Sequence, residues 1–346
     1  MTLSILRRKG PAAWMRKKLQ RQPLVSVILP SFNHASYVAE AVASVLDQSM
    51  ADLELIVVDD ASTDDTPDIV AGFDDPRLRL LRMESNRAVH PRNLALSMAR
   101  GRYVAFQNSD DVWLPGKLER QVEAMAAKNA PSVCFTQTAL IGADGRPSAG
   151  SWAEDIFDFT ERSSIEWLRH FFEIGNCLSI SSAMLRRQDL VELGGFRASL
   201  VQVGDFDLWI RMAARGAFLT LPETLTLYRI HGANLSAPSP TAGPRALLEL
   251  SQLFERYTAS PILERLPEIF PGIPSEAGTG ARKVCLALHA LTKERGAVAL
   301  FADRVIAAVL DDAQERADAV AHHGTAFIHD FIARRGRSEF RTLPHA

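Results

Sequence analysis

A chain of 346 residues, 47% hydrophobic and 23% charged, has room for a main domain with a sizeable core and an appendage. Its net charge of -2 excludes a nucleic-acid binder that works by bulk positive charge. No run approaches the roughly 18 apolar residues of a membrane span. The three scattered cysteines, Cys134, Cys177 and Cys285, have neither a disulfide framework nor a metal spacing.

The amino end lacks the apolar core of a signal peptide, which predicts a cytoplasmic protein. Residues 1–23 form a basic tail with Arg7, Arg8, Lys9, Arg16, Lys17, Lys18 and Arg21, no acid, and Trp14 among apolar neighbours. Such a segment suits an anionic membrane, placing the protein peripherally on the inner face of the cytoplasmic membrane. A solvated tail that docks on its own domain is the other reading.

Residues 24–32 (LVSVILPSF) read as a buried strand ending at Pro30. Val38, Ala41, Val42, Val45 and Leu46 share one face of a helix. Leu55 to Val58 is an uninterrupted apolar run of the kind found in central parallel strands, and it ends at Asp59-Asp60. A third strand over 78–83, a helix over 91–98 and a fourth strand over 103–106 complete an alternation that predicts a parallel α/β sheet with right-handed crossovers. Beyond it the pattern gives a helix over 118–127, with Leu114 or Pro115 as its start if the acidic knot is its cap, and a strand over 132–140. A helix over 163–172, an extended piece over 177–181 and a helix from Arg187 closed by Gly194-Gly195 follow. A helix over 206–214 and an extended run over 218–228 come next. Pro238, Pro240 and Pro244 mark a boundary, after which 245–257, 281–294 and 297–319 are periodic helices.

Two strands thus end in acids at the carboxyl edge of a sheet, where open α/β folds bind ligands. The stretch Asn108-Ser109-Asp110-Asp111 carries adjacent carboxylates whose repulsion a divalent cation would relieve; the alternative is a polar turn capping the next helix. Neither GxGxxG nor GxxxxGK[ST] is present, so a phosphate would rest on a metal and on basic side chains such as Arg87 and Arg92. For each of these arginines a solvated charge or a structural ion pair is the competing reading. His322-His323 has no partner in any recognisable metal spacing.

The ordered motifs VSVILPSFN, VVDDASTDDT, RNLA and YVAFQNSDD resemble those of the family 2 glycosyltransferases, over residues 24 to about 236. The resemblance implies the GT-A nucleotide-diphospho-sugar transferase fold, an α/β fold with a Rossmann-like, mostly parallel sheet, here with a C-terminal helical extension. It implies an inverting, non-processive transferase dependent on Mg2+ or Mn2+. The donor would be a nucleotide-diphospho-sugar, a UDP-sugar in this reading, and the acceptor a hydroxyl of a glycan or lipid-linked saccharide in bacterial surface polysaccharide or exopolysaccharide synthesis. Pro30, Ser31 and Asn33 would line the nucleotide pocket, and Asp60 would meet the base with Asp59 nearby. Arg92 would approach the diphosphate, Asn108 the ribose, and Asp110 the metal. Asn108 stands where the family usually has Asp, which removes one charge. VGDFDLWIRMAARG resembles the family's Glu-Asp-x-Asp-Leu-Trp segment. It makes Asp205 the catalytic base, puts Gly204 where Glu is common, and leaves Asp207 to fix the helix start. In LYRIHGANLS, His231 would reach the metal or diphosphate.

The expected organisation is a tail (1–23), a transferase domain (24–240) with a nucleotide-binding half (24–130) and an acceptor-binding half (131–240), a helical region (245–335) and a tail (336–346). Nucleic acid is not an expected partner. A sugar nucleotidyltransferase, or an impaired nucleotide-sugar-binding scaffold on the same fold, stays open at this point; Asn108 and Gly204 favour the latter.

Overall fold

The structure, a computed structural model, describes residues 22–86, 90–127, 130–151, 153–237, 239–293 and 296–336. Most of the basic tail, Arg87 and the segment beyond 336 lie outside the described residues. The described residues divide into two compact units, one within 1–164 and 176–237 and the other within 165–175 and 238–346. Residues 165–175, inside the expected acceptor-binding half, pack in the second of these.

The first unit is built on one eight-stranded sheet of order β3-β2-β1-β4-β7-β6-β8-β5. Its nucleus is β1 (Val25–Ser31), parallel to both β2 (Leu53–Asp59) and β4 (Tyr103–Phe106), with β3 (Leu78–Arg82) outside β2. Val27, Ile28, Leu55, Ile56, Val57, Val58 and Val104 are fully buried, as two-sided covering of a parallel sheet requires. The helices α1 (Val38–Leu46), α2 (Thr66–Ala71) and α3 (Pro91–Met98) are the crossovers between these strands. Their lengths leave the loops after β1, β2 and β4 at one edge, and that edge carries the acids. At the opposite end a buried polar lock fixes the register. Glu54 accepts from Ser26 Oγ at 2.7 Å and from Arg100 Nη2 at 2.8 Å, and Gly101 donates to Ser26 Oγ at 2.8 Å. A Cβ on Gly101 would lie 2.4 Å from the Ser26 nitrogen, so only glycine passes there.

Three expectations are corrected. The helix after the acidic knot does not begin at Leu114 or Pro115. A short strand, β5 (Val112–Trp113), first pairs with β8 (Phe218–Arg229), and α4 (Lys117–Ala126) starts after Gly116, whose φ is +84°. The knot is therefore held between strands β4 and β5 rather than on a helix N-terminus. The extended piece expected over 177–181 ends at Ser179; a 3-10 turn at Ile180–Ser182 then leads into β7 (Met184–Arg186), which runs antiparallel to β4 and ends the parallel half. β6 (Val133–Ile141) then joins β7 to β8, and α6 (Arg187–Glu192) and α7 (Gly204–Ala213) follow β7 in sequence; α5 (Ser164–Glu173) lies before it and belongs almost wholly to the second unit.

The third correction lies in that second unit, made of α5 with α8 (Ala242–Phe254), α9 (Leu266–Ile269), α10 (Thr279–Leu291), α11 (Gly296–Asp311), α12 (Ala313–His323) and α13 (Ala326–Gly336). The periodic stretch 297–319 is two helices, broken at Asp312, whose Oδ1 accepts from the Glu315 N–H at 2.8 Å. Asp with Glu three residues on is a capping signal that uninterrupted apolar periodicity conceals. Phe172 of α5 meets Phe254, Tyr257, Phe270 and Phe301 edge-on in the core of this unit. No helix among the described residues is long and apolar enough to cross a membrane.

Candidate active site

The loops after β1 and β2 are zipped together by short side chains. Asp59 is fully buried, and its carboxylate accepts from Ser31 Oγ (3.2 Å), Ser62 N (3.0 Å) and Ser62 Oγ (2.5 Å). Asn33, at φ +51°, accepts from Thr63 N at 2.8 Å. Ala61 also has a positive φ, +61°, a strained conformation for a residue with a Cβ. The strain falls just after Asp60, whose N–H donates to the Ser31 carbonyl at 2.8 Å. Asp59 therefore shapes the loops, while Pro30, Ser31, Asn33 and Asp60 line the cleft that they form.

The acidic knot after β4 is held by a second buried carboxylate. Asp111 accepts from Ser181 Oγ (2.5 Å), from Asn108 Nδ2 (3.2 Å) and from the Arg229 backbone N–H (3.0 Å). Burial and the neighbouring Asp110 push its carboxyl well above the ordinary range against the pull of those donors. Arg229 is buried at the end of β8; its Nε donates to the Asp110 carbonyl at 2.8 Å and its Nη2 to Glu40 at 2.5 Å. Asn108 bridges the knot to the start of α3, since its Oδ1 accepts from Arg92 Nη2 at 2.8 Å.

With its main chain fixed, Asp110 turns its carboxylate toward two imidazoles. Oδ2 lies 3.0 Å from His231 Nε2 and 4.0 Å from His34 Nε2. One ligand atom from each of the three residues falls within 4.8 Å of the others. His34 Nδ1 is 2.7 Å from Ser109 Oγ, so a proton on Nδ1 leaves the Nε2 lone pair facing Asp110. Burial lowers the His34 pKa despite Asp110, which favours the neutral, ligating form. His231 is arranged differently. The Ala233 N–H donates to its Nδ1 at 3.2 Å, which keeps the proton on Nε2, aimed at Asp110. Ligation by His231 requires that proton to move and Ala233 to let go. One carboxylate oxygen and two imidazoles fit Mn2+ better than Mg2+, which prefers an all-oxygen shell.

Across the cleft, α7 presents Asp205. The Phe206 N–H donates to its Oδ1 at 2.8 Å and Asn176 Nδ2 to its Oδ2 at 3.4 Å. Burial raises its pKa, and the Arg92 charge and the Phe206 N–H oppose the rise. Asp207, expected at the helix start, pairs with Arg211 one turn on at 2.7 Å. Arg92 is placed by the Gly194-Gly195-Phe196 turn: its guanidinium lies 5.6 Å from the Phe196 ring centre. Asn93 clamps that turn by donating to the Phe196 carbonyl (2.7 Å) and accepting from its N–H (2.8 Å). Gly195, at φ +69°, is where a Cβ would strike Asn93 Oδ1 at 2.5 Å.

Pro30, Ser31, Asn33, Asp60, Arg92, Asn108, Asp110 and Asp205 line one cleft of about 740 Å³, in the size range of a substrate site. His231 joins through Asp110. Sequence reasoning missed His34, Asn176 and Tyr228, which also border the cleft. Tyr228 feels Asp111, Asp110 and Asp205 together, and burial first, then those charges, push its phenol far up and keep it protonated. His34 sits one residue past Asn33 in the first motif, so its position was readable but its chemistry depended on Asp110, 76 positions away.

Comparison with known proteins fits this geometry. Residues 26–188 match the family described as glycosyl transferase family 2. The Bacillus subtilis glycosyltransferase TuaG, provisionally assigned to teichuronic acid biosynthesis, is 46% identical over 129 residues, 36% of this chain and 51% of that protein. The Escherichia coli UDP-Glc:alpha-D-GlcNAc-diphosphoundecaprenol beta-1,3-glucosyltransferase WfgD is 44% identical over 107 residues, 31% of this chain and 42% of that one. The chain thus spans about half, or less, of these two relatives. The fold is shared with a mannosyltransferase from Pyrobaculum calidifontis, solved with GDP-Man and Mn2+, at a TM-score of 0.51 and 20% identity, covering 94% of this chain and 93% of that one. It is shared also with residues 1-349 of S. aureus TarS, solved with UDP-GlcNAc, at a TM-score of 0.51 and 18% identity, covering 83% and 91%. The expected GT-A architecture with a helical extension is the observed one.

Two departures from the family pattern have physical consequences. Asn108→Asp removes the donor to Asp111 and sets a second carboxylate against it, which should cost about 1–3 kcal/mol. The folded-state proton affinity of this pair, already raised at Asp111, rises further. The lost stability should therefore be smallest at acid pH, where the pair is protonated, and grow as pH rises through the folded-state pKa. Urea unfolding of the metal-free variant and parent across pH checks this; a deficit that shrinks with rising pH contradicts it. Gly204 has ordinary φ, and a Cβ would meet only Phe196 Cδ1 at 3.9 Å. Gly204→Ala should stabilise by about 0.4–1 kcal/mol, seen as a raised unfolding midpoint, because it restricts the unfolded chain without a clash.

Proposed function

We propose that this protein is an inverting transferase that moves a sugar from a nucleoside diphosphate sugar to a hydroxyl of a glycan or lipid-linked saccharide. The carrying observation is that one cleft is lined by Asp60 at the end of β2, Arg92 and Asp110 on the knot side, and Asp205 on the opposite wall. The base of the nucleotide would lie against Pro30, Ser31, Asn33 and Asp60, and the ribose beside Asn108. Arg92, charged and fixed by Asn108 and Phe196, suits a diphosphate. His34, Asp110 and, after its proton shifts, His231 would hold Mn2+ or Mg2+. When bound, the cation supplies positive charge where the departing diphosphate gains negative charge.

Asp205 has the features of a general base. It is anchored on one oxygen by the Phe206 N–H, its proton affinity is raised by burial, and it reaches the cleft. It would take the proton of the acceptor hydroxyl as that oxygen attacks the anomeric carbon from the side away from the diphosphate. UDP as the leaving group is favoured by the name of the E. coli relative. A polysaccharide role is supported by the relatives in teichuronic acid and succinoglycan biosynthesis, the latter 35% identical over 129 residues.

Asp205→Asn should lower transfer by roughly 10²–10⁴ while leaving metal-dependent UDP binding near that of the parent. Turnover close to the parent's, with chemistry rate-limiting, excludes Asp205 as the base. Asp110→Asn should weaken UDP binding in Mn2+ but have little effect in chelator, as read by calorimetry. Equal affinity in both conditions removes Asp110 from the metal site.

A further inference from the structure

The helical unit contains a second cluster of ligand-type side chains, unrelated to the cleft. Cys285 lies in the middle of α10, and His322 and His323 end α12 just before Gly324. The Cys285 sulfur is 3.6 Å from His323 Nε2. The two imidazole rings lie 4.7 Å apart at 79°, and one ligand atom from each of the three residues falls within 4.8 Å of the others. A tetrahedral zinc with Zn–S of about 2.3 Å and Zn–N of about 2.0–2.1 Å sets sulfur and nitrogen about 3.6 Å apart. The observed pair already has that separation.

The two helices that carry these groups are fixed against each other at several other points. A Cβ on Gly280 would lie 2.0 Å from the Glu315 carbonyl oxygen, so the backbones approach as closely as glycine allows. The Ala281 N–H donates to Asp318 Oδ2 at 3.0 Å, and Lys283 pairs with Glu315. The separation of Cys285 from the histidines is thus set before any ion arrives, which lowers the ordering cost of binding. His323 Nε2 has a competing partner, the Ala281 carbonyl at 3.3 Å, which holds it in the metal-free state when that nitrogen bears the proton. Phe327 packs against the His323 ring, centre to centre 5.8 Å.

Beside the cluster is a cavity of about 490 Å³ whose wall includes Cys285, His323, His289, Glu173 and Arg169. We propose that Cys285, His322 and His323 form a zinc site of three protein ligands, with the fourth position open toward this cavity. One thiolate and two imidazoles are a borderline-soft donor set that suits Zn2+ and disfavours Mg2+, Ca2+ and Mn2+. The ion replaces the Cys285 thiol proton, which leaves to solvent, and ties α10 to α12.

Co2+ is the probe, because a thiolate ligand gives a sulfur-to-cobalt charge-transfer absorption that oxygen and nitrogen ligands do not. The untagged full chain, stripped with chelator, is titrated with Co2+ and then Zn2+. The expected result is a charge-transfer band and tetrahedral d–d bands that Zn2+ abolishes. Cys285→Ser should lose the charge-transfer band, and His322→Ala and His323→Ala should each weaken Co2+ binding on the order of tenfold or more. Asp110→Asn should keep the band, which separates this site from the cleft and its outcome from that of the transferase reading. No band in the parent, a band that survives Cys285→Ser, or unchanged affinity in both histidine variants overturns the proposal.

Discussion

The buried carboxylate of Asp111 is the constraint on which the cleft edge of the sheet depends. Its three donors come from Asn108, Ser181 and Arg229, so one side chain joins the knot after β4, the turn before β7 and the end of β8. A lone carboxylate in that position would be too costly to bury. Three donors make it tolerable, and in return each donor segment has one place to be. Arg229 completes the arrangement by holding the Asp110 carbonyl, and the Asp110 carboxylate faces His34 and His231.

Adjacent acids therefore have opposite duties because of their surroundings. Asp111 is enclosed and acts on the protein itself, whereas Asp110 meets imidazoles and reaches the cleft. The same division recurs after β2, where Asp59 holds Ser31 and Ser62 while Asp60 reaches the cleft, and again on α7, where Asp207 pairs with Arg211 and Asp205 faces the cleft. In each pair one residue is an architectural carboxylate and the other lines the cleft.

The parallel half was legible in the sequence because its signals are local. Leu55 to Val58 is apolar throughout, and Pro91 opens a helix whose end at Met98 matches the pattern. The acids at the strand ends could be picked out for the same reason. What was illegible depends on partners distant in sequence. Met184–Arg186 is too short to announce a strand and exists because Tyr103–Ala105 offers it an edge. Val112–Trp113 likewise exists because of Thr226 and Leu227, and it displaced the helix start past Gly116. Cys285 and His323 are 38 positions apart and no spacing rule joins them; the contact comes from the packing of α10 on α12.

The path of the chain also sets the order in which the protein can be made. The helix at Ser164–Glu173 leaves the ribosome before β7 and β8 exist, but the rings against which Phe172 packs begin at Phe254. Until then Trp167, Leu168, Phe171 and Phe172, all buried in the finished protein, are an apolar stripe on a nascent chain. Synthesis must carry this stripe through completion of the sheet before the helical unit can close over it. A fragment ending before Ala242 would carry the stripe permanently, having lost the rings of Phe254, Tyr257, Phe270 and Phe301.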